Sequence, residues 1–198
     1  MKKKYQVDTI VYVLGELMRN VLEHSEAQNG AFVCAQYNKE KNRIWIGIAD
    51  IGIGIKASLG KHHFSDSNLE AIRLALWPGI TGTTKRIGGN DQNAGVGLFF
   101  TKSIAKVNRD YFMIYSGDAM YKLHMAPKRK KIRFYPDAFK EKHKRMQNLP
   151  FWRGTVVGIN ITLNQTQEFD SLIRILLDIL PQAISERNRE KYKLPKFI

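Results

Sequence analysis

VDTIVYVLGELMRNVLEH (residues 7–24), followed by AFVCAQY (31–37) and RIWIGIA (43–49), decides the fold class. In the first segment Val7, Ile10, Val11, Leu14, Leu17, Met18, Val21 and Leu22 recur at three- and four-residue intervals, which predicts one buried face of an amphipathic helix. Asp8 is placed to cap it. Asn29-Gly30 ends that pattern and opens a strand. After a charged turn, Ile44, Ile46 and Ile48 alternate along a second strand, so a hairpin is expected.

Further along, Asp50 to Gly60 reads as a glycine-broken loop. Ser65 to Trp77 reads as a helix capped by Ser65 or Asp66, with Leu69, Ile72 and Leu76 on one face. Pro78 to Gly97 holds six glycines in twenty residues and leads into a helix over Leu98 to Val107. Tyr111 to Tyr115 and Met120 to Met125 read as strands paired around Gly117-Asp118, a favoured hairpin turn. Thr155 to Leu163 is a last β-branched strand, and Phe169 to Ile184 a closing amphipathic helix. With no internal repeat and no low-complexity linker, one α/β domain over 1–198 is the economical reading.

At 198 residues, 43% apolar and 25% charged, the chain has the composition of an ordinary globular domain. No run of eighteen apolar residues is present, so no membrane span is expected. The basic start, MKKKYQVDTI, does not have the form of a secretory signal. A single cysteine, Cys34, excludes an internal disulfide framework and a cysteine-rich zinc site, and a cytoplasmic setting is expected. The net charge of +14 is concentrated in Lys2 to Lys4, Lys122 to Arg145 and Glu186 to Ile198. Such blocks suit nucleic acid, an acidic partner or an anionic surface, or are simply solvated loops.

Clustered glycine costs conformational entropy and belongs where backbone must approach a ligand closely. Phosphate is one such ligand, because N–H groups at a helix start attract anions. Gly95-Val96-Gly97 stands just before the helix from Leu98, yet neither GxxxxGK[ST] nor a βαβ-embedded GxGxxG is present. Glu16 and Asn20, four apart, share a helix face that His24 continues. A carboxylate beside a carboxamide suits polarising a water and holding hydrated magnesium. The same spacing also fits a solvated helix face with polar i,i+4 pairs.

ELMRNVLEHS, DIGIGI, NAGVGL and GTVVGINI, in that order, resemble the N, G1, G2 and G3 boxes of the GHKL (Bergerat-fold) ATPases. The resemblance covers roughly Val7 to Leu163. It implies an α+β two-layer sandwich with a mixed, mostly antiparallel sheet covered on one face by helices. It implies ATP and Mg2+ as cofactors and a mobile ATP lid over about residues 78–94. Position by position, Glu16 matches the general base and Asn20 the magnesium ligand. Asp50 matches the carboxylate that accepts from the adenine amino group, with Gly52 and Gly54 passing close to the base. Gly95, Val96, Gly97 and Leu98 match the phosphate-contacting turn, and Thr155 the threonine near adenine. Lys85 and Arg86 in the lid are candidate phosphate contacts.

Departures from the family pattern narrow the subclass. Glu23 stands where many histidine kinases carry lysine, and no helix pair bears an acceptor histidine, so autophosphorylation on histidine is not expected. The chain looks more like anti-sigma-type kinases or stand-alone members. There is no transducer domain to supply a lysine, so hydrolysis by this polypeptide alone should be slow. The N-terminal strands that often precede the N box are not seen, which suggests a partner protein or larger assembly. The resemblance therefore implies an ATPase, or a kinase acting on a partner's serine or threonine. A nucleotide-gated interaction protein with little turnover is one alternative, and a basic nucleic-acid-binding protein on the same fold is another.

The insert at about residues 126–153 has no counterpart in that pattern. Its cations mix with Phe134, Tyr135 and Phe139, a blend suited to single-stranded nucleic acid or to a helix docking on a partner. His62-His63 lacks a second ligand pair and is not read as a metal site. Cys34, Trp45 and Phe99-Phe100 are read as packing residues.

Overall fold

The computed structural model describes residues 2–88, 94–125, 127, 131–163 and 169–192. It is an α+β two-layer sandwich. The opening helix, α1 (Lys2–His24), is followed by the hairpin β1 (Ala31–Asn38) and β2 (Arg43–Asp50), paired from Ala31↔Asp50 to Asn38↔Arg43. Two short helices come next, α2 (Gly54–Gly60) and α3 (Asn68–Ala75). Then come α4 (Gly97–Val107), the hairpin β3 (Phe112–Gly117) and β4 (Ala119–Leu123), β5 (His143–Met146), β6 (Trp152–Thr162) and α5 (Phe169–Tyr192). The strands order as β1-β2-β6-β3-β4-β5. Every pairing among the described residues is antiparallel, in line with the mostly antiparallel sheet expected.

Register explains which face is core. Ile46, Ile159, Phe112 and Leu123 stand side by side across four strands, and Ile48, Val157, Ile114 and Tyr121 form the next row. All eight are buried, against Leu69 and Ile72 of α3 and Phe99, Phe100 and Ile104 of α4. Each such side chain contributes roughly 1.5–3 kcal/mol on leaving water. The Phe99-Phe100 pair is packing, as expected.

Several sequence expectations are corrected. Nothing in KKKYQV breaks a helix, so α1 starts at Lys2 and Asp8 lies inside it rather than capping it. Its apolar arc is divided. Thr9, Val13, Leu17 and Val21 face the core, whereas Val7, Val11, Met18 and Leu22 are exposed. The segment after Asp50 is not all loop, because α2 turns Ile55, Ser58 and Leu59 inward. The cap of α3 is Ser67, which accepts from Glu70 N–H at 3.1 Å, rather than Ser65 or Asp66. Helix α5 continues past Ile184 to Tyr192. Cys34 is exposed, since β1 is an edge strand. Trp45 is 41% exposed, so it is a surface residue as well as a packed one.

The described part of the basic insert is docked on the body. It holds β5, whose HKRM sequence carries charge as edge strands do. Lys102 of α4 meets Glu141 Oε1 at 2.9 Å with both side chains fully buried, and Lys106 reaches the same oxygen at 3.1 Å. Arg73 of α3 donates to both carboxylate oxygens of Asp137, at 3.0 and 2.7 Å. Residues 126 and 128–130 of the insert lie outside the described residues.

Candidate functional site

One cavity of about 290 Å3 opens between α1, the ends of β2 and β6, α2 and the start of α4. Its apolar wall includes Ile48, Ile55, Leu59, Ile114 and Val157, contributed by the inner face of the sheet and by α2. Polar groups enter from three directions.

From α1, the i,i+4 row places Glu16, Asn20 and His24 along the cavity while Leu17 and Val21 complete the core behind them. Asn20 Nδ2 is buried and has no hydrogen-bond partner among the described residues. Glu16 pairs with Arg19 at 3.2 Å. Burial nevertheless pushes the Glu16 carboxyl above its usual range, with Arg19 opposing and Glu23 adding to the rise. Burial moves His24 below its ordinary value, outweighing the nearby Glu23, so its ring is neutral at pH 7.

From β2 comes Asp50, only 4% exposed. Burial raises its carboxyl, against hydrogen bonds from the backbone N–H groups of Gly52 and Thr155. The Gly52 bond is 2.9 Å long. Gly52 itself is buried behind the cavity wall. A Cβ there would lie 2.0 Å from the Ser25 carbonyl oxygen, so only glycine lets this loop close on the end of α1. The bond from Ile53 N–H to that carbonyl, 2.8 Å, completes the junction.

From the third side, Gly95, Val96, Gly97 and Leu98 bring the start of α4 to the cavity. Val96 offers no side-chain cap, so the first-turn N–H groups present partial positive charge to the space. Gly97 faces Glu16 so closely that a Cβ would sit 2.1 Å from Oε2.

Glu16, Asn20, Asp50, Gly54, Gly95, Val96, Gly97, Leu98 and Thr155 therefore line one cavity, with Gly52 supporting it. Lys85 and Arg86 do not join them. Both are exposed, and Lys85 borders a separate shallow depression with Lys56, Lys61, His62 and His63. Residues 89–93 of the expected lid lie outside the described residues. No group of three or more His, Cys, Asp or Glu able to hold a metal occurs among the described residues.

Sequence reading missed Ser116, Ser25 and Trp152. Ser116 Oγ accepts from Ile55 N–H at 3.0 Å and donates to the Gly154 carbonyl at 2.7 Å, tying α2 to β3 and β6 beneath the cavity. Trp152 donates to the Asp50 carbonyl at 3.0 Å. Both contacts span tens of residues, and no local pattern marks them.

The chemistry of this donor set suits a ligand with a flat apolar body, a hydrogen-bond donor to meet Asp50, and an anionic end for the start of α4. No protein-family model matches the chain, and no curated protein matches it significantly. Among the described residues no helix is long and apolar enough to cross a membrane.

Proposed function

We propose that this chain is an ATP-binding module of GHKL (Bergerat) type, working in the cytoplasm as an ATPase or as a kinase acting on a partner protein. The carrying observation is the convergence of a buried carboxylate, a polar helical row and an uncapped helix start on one cavity of about 290 Å3. The residues fit the ligand. Asp50 accepts from an exocyclic amino group, which selects adenine over guanine, and Thr155 flanks it. Asn20 Nδ2 is buried without a hydrogen-bond partner among the described residues and can donate to a phosphate oxygen, while the carboxamide oxygen would serve as the magnesium ligand. The Gly95–Leu98 turn offers backbone donors to phosphate.

Bound Mg-ATP supplies the transferable phosphoryl group and the charge-neutralising cation. What the chain supplies is position and a proton acceptor. Glu16, with its carboxyl raised by burial, is a stronger base than a solvated glutamate and takes the proton from water or from a partner's hydroxyl.

A second reading, a nucleotide-gated interaction protein with little turnover, has its own support. Among the described residues the one cation lining the cavity is Arg19, which is paired with Glu16, since burial keeps His24 neutral. Without a free cation for the developing charge, turnover should be slow until a partner completes the site. The nucleic-acid alternative gains nothing from the cavity.

Mg-ATP should raise the melting temperature, and Asp50→Ala should abolish that rise. Glu16→Ala should keep the rise while lowering phosphate release or transfer by at least about a hundredfold. Unchanged turnover in Glu16→Ala rejects the base assignment. Phosphate release measured with and without cell extract separates enzyme from switch, since a switch shows binding with no stimulated release.

A further inference from the structure

Among the described residues no helix packs on the other face of the sheet, and its residues follow from register. Outward positions of β1 and β2 present Phe32 and Trp45, 69% and 41% exposed, and Tyr111 precedes β3 on the same side. Outward positions of β4 and β5 present Lys122 opposite Lys144. No strand contributes an outward carboxylate.

These groups form a line across the strands. The rings of Trp45 and Tyr111 lie 6.0 Å apart, tilted by 45°. Lys122 Nζ stands 5.1 Å from the Tyr111 ring, and Lys144 is its cross-strand neighbour. Gly158 lies against the tyrosine, where a Cβ would be in ordinary contact with Tyr111 Cε1 at 3.6 Å. The Tyr111 backbone is held at both ends by Asn160, which donates its N–H to the Tyr111 carbonyl at 3.1 Å and accepts from the Tyr111 N–H through Oδ1. The Tyr111 backbone is therefore fixed on the sheet.

We propose that this helix-free face binds single-stranded nucleic acid, with bases stacked on Trp45 and Tyr111 and phosphates on Lys122 and Lys144. Every base offers a π face, so paired rings beside cations make a sequence-tolerant site. An acidic peptide uses the lysines but has no use for the rings. A second copy of the chain would set lysines against lysines. The insert gains a role here, because it supplies β5 and so the outer part of the cationic half. The inference does not depend on ATP binding at the opposite face.

The test is fluorescence anisotropy with a labelled 15-nucleotide oligo(dT) at low and moderate salt. Wild-type protein should bind it more tightly than a duplex of equal length or poly-L-glutamate. Trp45→Ala and Tyr111→Ala should each weaken binding roughly tenfold or more. The pair Lys122→Gln, Lys144→Gln should lower the slope of log K against log salt by about 1.4. Absence of binding at low salt overturns the proposal. So does equal affinity for poly-L-glutamate, or affinity unmoved by these four substitutions and lost when residues 128–131 are neutralised.

Discussion

Two places in this molecule bury charge, and they do it differently. Where the insert docks on α4 and α3, each buried charge touches its opposite: Lys102 with Glu141, and Arg73 with Asp137. In the cavity, Asp50 is just as buried, but its donors are two backbone N–H groups, and the neighbouring Asn20 Nδ2 has no partner. The first arrangement neutralises its charges in place, although Glu141 Oε2 has no hydrogen-bond partner among the described residues, and serves the fold. The second places a carboxylate with no countercharge among the described residues, and the unpaired Asn20 Nδ2, on an open cavity where a ligand can complete them.

The contrast can be broken by substitution. The largest loss should follow Glu141→Ala, which strands a fully buried Lys102. About 3–5 kcal/mol should disappear from the urea unfolding free energy, and Lys102→Met with Glu141→Leu should recover most of it. Asp137→Ala should cost less, about 2–3 kcal/mol, because Arg73 keeps some access to water and to Glu70 and Glu190.

Asp137 also gives a pH signature. Burial works to raise its carboxyl, but the two Arg73 bonds and the Phe139 N–H outweigh that and hold it below the ordinary 3.8. A depressed folded pKa stabilises fully above the unfolded value and is lost as pH falls through the folded one. The wild type should therefore lose stability below about pH 4 through a component that Asp137→Ala lacks. Asp50 has the opposite sign. Its raised carboxyl penalises the folded state once ionised, so Asp50→Asn should leave stability at pH 7 unchanged or slightly higher. A loss in Asp50→Asn as large as that in Glu141→Ala would erase the distinction between the two regions.

Those differences also explain what the sequence could reveal. Alternating Ile44, Ile46 and Ile48 showed β2, and the 16–20–24 spacing put three polar groups on one stripe of α1, because both depend on local periodicity. That this stripe meets a cavity and not solvent was implied by the resemblance alone. The exposed stripe of Val7, Val11, Met18 and Leu22 was hidden, since periodicity says that a face is apolar and not whether this chain covers it. Strand β5 was hidden because its charged sequence pairs only once β4 is present. Lys85 and Arg86 were expected at the phosphates from their place in the lid that the resemblance implies, but both are exposed and neither lines the cavity.

The central claim is that the cavity reads an adenine nucleotide through Asp50. Isothermal titration with Mg-ATP and Mg-GTP, on wild type and Asp50→Ala, tests it most directly. ATP should bind the wild type at one site, GTP should bind at least tenfold more weakly, and Asp50→Ala should lose the preference together with most of the affinity. Equal binding of the two nucleotides, or ATP affinity unchanged in Asp50→Ala, would contradict the account.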